Sequence, residues 1–68
     1  MKQERYSMIF TKALNEMCDG KKLTRVEWDN KDEYGLVRDD KLQIHTKGKF
    51  HDWIVSYADM LAEDWEVV

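Results

Sequence analysis

The stretch Ser56-Tyr57-Ala58-Asp59-Met60-Leu61-Ala62-Glu63-Asp64-Trp65-Glu66-Val67-Val68 decides the fold. Ser56 followed three positions later by Asp59 has the spacing of a capping box, with Asp in place of the usual Glu or Gln. A short helix is therefore predicted from Tyr57 to about Ala62. Glu63 and Asp64 turn the chain, and Glu63 to Val68 reads as a last strand. In that strand Trp65 and Val67 face one way, Glu66 and Val68 the other. Leu61, Trp65 and Val67 are the expected packing residues of this region.

Working back, Phe50-His51-Asp52-Trp53-Ile54-Val55 is predicted extended and Lys47-Gly48-Lys49 a turn. Glu33–Arg38 and Lys41–Thr46 flank Asp39-Asp40. Tyr34, Leu36, Leu42 and Ile44 alternate with polar residues, which predicts a hairpin with one buried face. Leu23–Trp28 is a further strand, with a turn at Asp29–Asp32. Ahead of it, Tyr6, Ile9, Phe10, Ala13, Leu14 and Met17 recur at helical spacing. They predict a helix over Tyr6–Cys18, with Ser7 as a candidate N-cap and Gly20 as its stop. The expected fold class is α+β: one N-terminal helix packed on a small antiparallel β-sheet, and a short second helix before a C-terminal strand. Residues 1–68 read as one domain, with 1–5 as a candidate flexible lead.

Composition narrows the function. Sixty-eight residues bury only a modest core, and such chains usually need a disulfide, a metal or a partner. Cys18 is the only cysteine, so no intrachain disulfide forms. Its position near the helix end reads as a buried or half-buried small apolar residue. A lone thiol suits a reducing cytoplasm. No apolar run reaches the length of a membrane span, and no signal-peptide core follows Met1-Lys2-Gln3-Glu4-Arg5. The expected location is cytoplasmic, with no membrane partner. A net charge of −3 argues against duplex nucleic acid.

Catalytic chemistry has little footing. Cys18, His45 and His51 lack zinc spacing, and no Ser-His-Asp set, P-loop or dinucleotide fingerprint occurs. Glu63, Asp64 and Glu66 read as solvated acids rather than a carboxylate pair across a cleft. The expectation is a protein that is not an enzyme, with no catalytic residue, metal or cofactor.

Binding chemistry has more. Trp28 and Trp53 offer flat indole surfaces, and stacking of a base on an aromatic ring contributes roughly 1–3 kcal/mol. Core or interface packing explains a tryptophan equally well. Arg25 offers a planar fork of donors suited to phosphate, or an ion pair with Glu27 or Glu33. Asp59 reads first as the helix cap and second as an acceptor for ribose hydroxyls. Trp65 reads as core, and Phe10 as part of the helix stripe.

The segments Phe10-x-x-Ala13-Leu14, Gly20-Lys21-Lys22-Leu23-x-Arg25-x-x-Trp28, then Trp53, Ser56 and Asp59-x-Leu61-Ala62-Glu63-Asp64-Trp65-Glu66-Val67 carry a resemblance. The chain resembles a family of small phage and prophage proteins that includes Thoeris anti-defence proteins of the second type. Those members form homotetramers and sequester cyclic ADP-ribose-type signals, and some bind cyclic dinucleotides. The resemblance implies a phage anti-defence protein that binds a cyclic nucleotide immune signal without catalysis, in the host cytoplasm. It implies a homo-oligomer, dimer or tetramer, and ligand contact by Phe10, Arg25, Trp28 and Trp53, to which the ribose reading of Asp59 adds a fifth candidate. The chain departs from the family pattern at Glu27, where many members have glycine, and at Asp52, where proline often precedes the second tryptophan. It also lacks the family's proline-containing middle. These departures carry an alternative expectation: a protein-interaction module that inhibits a host defence protein by direct binding.

Overall fold

The structure, a computed structural model, describes residues 8–68. Helix α1 (Phe10–Cys18) is followed by β1 (Leu23–Arg25) and a 3₁₀ turn (Val26–Trp28). Strands β2 (Tyr34–Arg38), β3 (Lys41–Thr46) and β4 (Lys49–Asp52) come next, then α2 (Tyr57–Leu61) and β5 (Trp65–Val67). The α+β expectation holds. The five strands form one antiparallel sheet in the order β4-β3-β2-β1-β5.

α1 begins later than its apolar spacing predicts. Ile9 is extended (ψ 166°) and serves as the N-cap without a side-chain bond. Met8 pairs instead with Trp65 as an isolated bridge. Backbone groups at 8 and 9 thus serve the sheet edge and the helix start, and Ile9 lies half out in solvent. Tyr6, Ser7 and the expected lead at 1–5 fall outside the described residues. The other end follows expectation. Gly20 at φ 95° lets its own N–H reach Met17 O and the Lys21 N–H reach Glu16 O, the paired bonds of a Schellman stop. Cys18 is exposed rather than buried, because Ala13 and Met17 define the inward face one turn away.

β2–β3 and β3–β4 are tight hairpins. Asp39 and Asp40 (φ 55° and 62°), then Lys47 and Gly48 (φ 53° and 78°), supply the consecutive positive φ angles of type I′ turns. The first turn fixes the register Val37↔Leu42 and Tyr34↔His45. Directly opposed residues share a face, so Tyr34 and Leu36 lie on one side of the sheet and Leu42 and Ile44 on the other. The expectation that these four line one buried face is corrected here. Leu42 and Val37 face α1, whereas Tyr34, Leu36, His45 and Phe50 form the outer face.

β1 is also shorter than predicted. The Val26 N–H donates to Asp64 O (3.0 Å), and the Glu27 N–H to Asp64 Oδ2 (2.9 Å). These bonds draw the chain out of the ladder into the 3₁₀ turn, which ends at Asp29 (φ 51°). The core under α1 consists of Ala13, Met17, Leu23 and Trp65, all fully buried. Met8, Phe10, Leu14, Trp28, Val37, Leu42, Trp53 and Ala62 pack around them. Leu61 does not join them: it is 79% exposed, and Val67 at the sheet edge is 46% exposed. No described helix is long and apolar enough to cross a membrane.

Candidate functional site

Three of the five sequence-predicted ligand residues come together, each from a different element. Phe10 opens α1, Trp28 ends the 3₁₀ turn, and Trp53 follows β4. Trp53 stays in register beyond the strand through its N–H to Leu42 O (3.1 Å). The three rings surround Trp65. Ring centroids lie 5.5 Å from Trp65 for Phe10, 5.4 Å for Trp28 and 5.8 Å for Trp53, all tilted or edge-on. Trp53 also touches Phe10 and Trp28, at 6.3 Å each. Edge-to-face contacts of this kind each contribute roughly 0.5–1.5 kcal/mol beyond the area they bury. The Trp65 indole N–H donates to Asp59 O (3.2 Å), so the central ring buries no unpaired donor. Phe10, Trp28 and Trp53 remain only half-buried, and the cluster presents an aromatic wall.

Gly35 gives Trp53 its seat. A Cβ on Gly35 would lie 2.3 Å from the indole Cζ3, well inside van der Waals contact. The ring can lie across β2 only because this position has no side chain.

The other two predicted residues form a separate group. All three edges of the Arg25 guanidinium are engaged: Nε to Asp64 (2.7 Å), Nη1 to Asp59 (2.9 Å) and Nη2 to Glu27 (2.9 Å). Its side chain is 10% exposed. Of the two expected ion-pair partners, Glu27 binds Arg25, while Glu33 accepts from Thr46 Oγ1 (2.9 Å). Burial alone pulls the Arg25 guanidinium down, but the hydrogen bonds to Asp64 and Asp59 outweigh it and hold the group above its ordinary value. Burial likewise pushes the Asp64 carboxyl up. The Arg25 bond and the Glu27 N–H prevail and keep it below the usual carboxylate value.

Asp59 fills half of its capping role. Its N–H donates to Ser56 Oγ (3.2 Å), while its carboxylate turns to Arg25 rather than back to the Ser56 backbone. Asp64, read from sequence as a solvated acid, is the main partner of Arg25. The pair lies 39 positions apart, and only the β1–β5 register, Arg25↔Trp65, brings the two together. No pocket forms among the described residues.

A family model for the Thoeris anti-defense 2-like domain matches residues 8–68. The chain belongs to that family. Thoeris anti-defense 2-like membership supports a phage anti-defence role, and it agrees with the family resemblance of the Phe10, Gly20–Trp28 and Asp59–Val67 segments. No curated protein matches the chain. Within the Thoeris anti-defense 2-like fold seen here, the aromatic residues of the predicted site form one wall and the charged residues form a closed ionic cluster beside it.

Proposed function

We propose that this protein is a phage anti-defence protein that binds and sequesters a cyclic nucleotide immune signal, of the cyclic ADP-ribose type or a cyclic oligonucleotide, and breaks no bond in it. The observation that carries the reading is the convergence of Phe10, Trp28 and Trp53 on Trp65. A purine laid against Trp28 or Trp53 would gain roughly 1–3 kcal/mol of stacking. Trp65 would hold the wall at a fixed angle. Arg25 is engaged by three carboxylates, so it would act first on the shape of the site. It would contact phosphate only where the ligand displaces the exposed Glu27. Since one chain offers a wall without an opposite side, a second copy would complete the enclosure, in a homo-oligomeric sponge. Free signal then falls by stoichiometric binding.

Titration with cyclic ADP-ribose isomers and cyclic dinucleotides, followed by tryptophan fluorescence, tests the reading. Binding at tens of micromolar or tighter, weakened at least about tenfold by Trp53→Ala, is expected. Intact ligand should return after heat denaturation. Absence of binding for every cyclic nucleotide tried would reject the sponge.

The closed state of Arg25 favours a second reading, direct inhibition of a host defence protein. That reading expects Trp28→Ala to retain anti-defence activity and a pull-down from host lysate to yield one stoichiometric partner.

A further inference from the structure

Arg25 and Trp65 stand opposite each other across the β1–β5 ladder, and directly opposed residues point to the same side of a sheet. The ionic cluster therefore adjoins the aromatic wall, and the Trp65 N–H bond to Asp59 O ties the two together. Glu27 precedes Trp28 in the 3₁₀ turn, at the boundary between them. The Val26 and Glu27 N–H bonds to Asp64 hold its backbone there. The members of the cluster differ in reach. The Arg25 side chain is 10% exposed, Asp59 16% and Asp64 26%, whereas Glu27 is 75% exposed. A ligand lying on the wall would meet the cluster through Glu27.

Charge at this boundary works against phosphate. Three carboxylates surround one guanidinium, and each of its nitrogens already donates to one of them. If Glu27 swung away, Arg25 would still lie between Asp59 and Asp64, with negative charge in excess. A further anion brought to that spot meets repulsion rather than a free fork of donors. The same place suits an uncharged donor. Both oxygens of Asp64 are occupied, Oδ1 by Arg25 and Oδ2 by the Glu27 N–H. Glu27 holds Arg25 through Oε1 alone, and its Oε2 has no hydrogen bond among the described residues. That oxygen is an exposed acceptor steadied by the Arg25 bond. Acidic side chains accept from ribose hydroxyls in this way.

We propose that Glu27 is the specificity-determining residue of the aromatic wall: it accepts a hydrogen bond from a ribose hydroxyl and keeps phosphate away from Arg25. The ligand then lies with its sugar at the Glu27 end and its phosphates turned away from the ionic cluster. One side chain supplies both the attraction and the repulsion by which the site selects. The inference rests on the reading of the wall as a stacking surface for a base, and it adds the orientation of the nucleotide on that surface. It needs neither a cyclic ligand nor a second copy of the chain, so simple nucleosides test it.

Adenosine, adenosine diphosphate and dideoxyadenosine, which lacks both secondary ribose hydroxyls, are titrated into the full chain, with the Trp28 and Trp53 indole N–H resonances as reporters. The unmodified protein should bind adenosine about tenfold more tightly than the diphosphate, and several-fold more tightly than dideoxyadenosine. Glu27→Gln keeps the side chain's length and removes its charge, and should tighten the diphosphate about tenfold. High salt should narrow the same gap in the unmodified protein far more than in Glu27→Gln. Glu27→Ala should abolish the difference between adenosine and dideoxyadenosine. Asp59 and Asp64 still hold Arg25 in both variants, and if Glu27→Ala loses its circular dichroism spectrum, Glu27→Gln carries the test. A diphosphate that binds the unmodified protein as tightly as adenosine overturns the proposal. So does a preference that Glu27→Gln leaves in place, or dideoxyadenosine that binds like adenosine. Cyclic nucleotides bound without these effects leave the sponge standing and remove Glu27 from it. The expected nucleoside effects without retention of any cyclic nucleotide do the reverse. No resonance shift with any of the three at millimolar concentration rejects the wall as a base site, and the role of Glu27 with it.

Discussion

Arg25 shows how one side chain can organise a small protein. Its three bonds tie β1 to the first turn of α2, to the lead into β5 and to the 3₁₀ turn. Asp64 gives this a pH signature. Its folded-state carboxyl titrates below its ordinary value of 3.8. The stabilisation it supplies is therefore present above that value and is lost as pH falls through the lower folded value. Urea midpoints should drop steeply below about pH 4, and Asp64→Asn should be less stable at neutral pH but show a flatter acid limb. The raised value of Arg25 would be felt only in strong alkali, beyond any working range. A second expectation concerns Gly35. Gly35→Ala pushes a Cβ into the Trp53 ring and should cost about 1–3 kcal/mol in chemical denaturation, with a changed near-ultraviolet dichroism as Trp53 tilts. Neither the Arg25–Asp64 pair nor the Gly35 seat was legible in the sequence, because each depends on strand register rather than on neighbouring residues. Phe10, Trp28 and Trp53 were legible as aromatic candidates. Their meeting on Trp65 was not, since Trp65 by itself reads as an ordinary core residue.

At the level of elements, local signals fared well and long-range ones poorly. The Ser56 cap, the Gly20 stop and both hairpin turns are written in a few adjacent residues each. The face of each strand is not. Alternation in β2 and in β3 is real, but a two-residue turn pairs Val37 with Leu42, and this sets Tyr34 and Leu36 opposite to Leu42 and Ile44. One more residue in that turn would have reversed the relation. α1 starts later than its apolar stripe because Met8 is claimed by Trp65. The β3–β4 turn carries its own prediction. Lys47 holds φ 53°, a conformation that asparagine tolerates better than lysine. Lys47→Asn creates an Asn-Gly turn and should stabilise the protein by about 0.5–1 kcal/mol, read from thermal or urea unfolding.

For the molecule as a whole, charge and apolar surface are sorted rather than mixed. Among the described residues, Ala13, Met17, Leu23 and Trp65 are the fully buried hydrophobics, and the exposed ones include Ile54, Tyr57 and Leu61 on one side and Phe50 on the other. A fold this lightly filled rests much of its order on where β5 lies. That position has a consequence in time. The β2–β3–β4 hairpins close over short stretches of chain, as between Gln43 and Asp52, 9 positions apart. Arg25 and Asp64, across the β1–β5 pairing, are 39 positions apart. Loop closure over the longer span costs more entropy before any contact rewards it. The hairpins should therefore belong to the folding nucleus, and the aromatic wall should assemble last. In stopped-flow experiments Lys47→Asn should chiefly speed folding, while Arg25→Ala should chiefly speed unfolding. The tryptophan signal that would report a ligand would then also mark the final step of the chain's own folding.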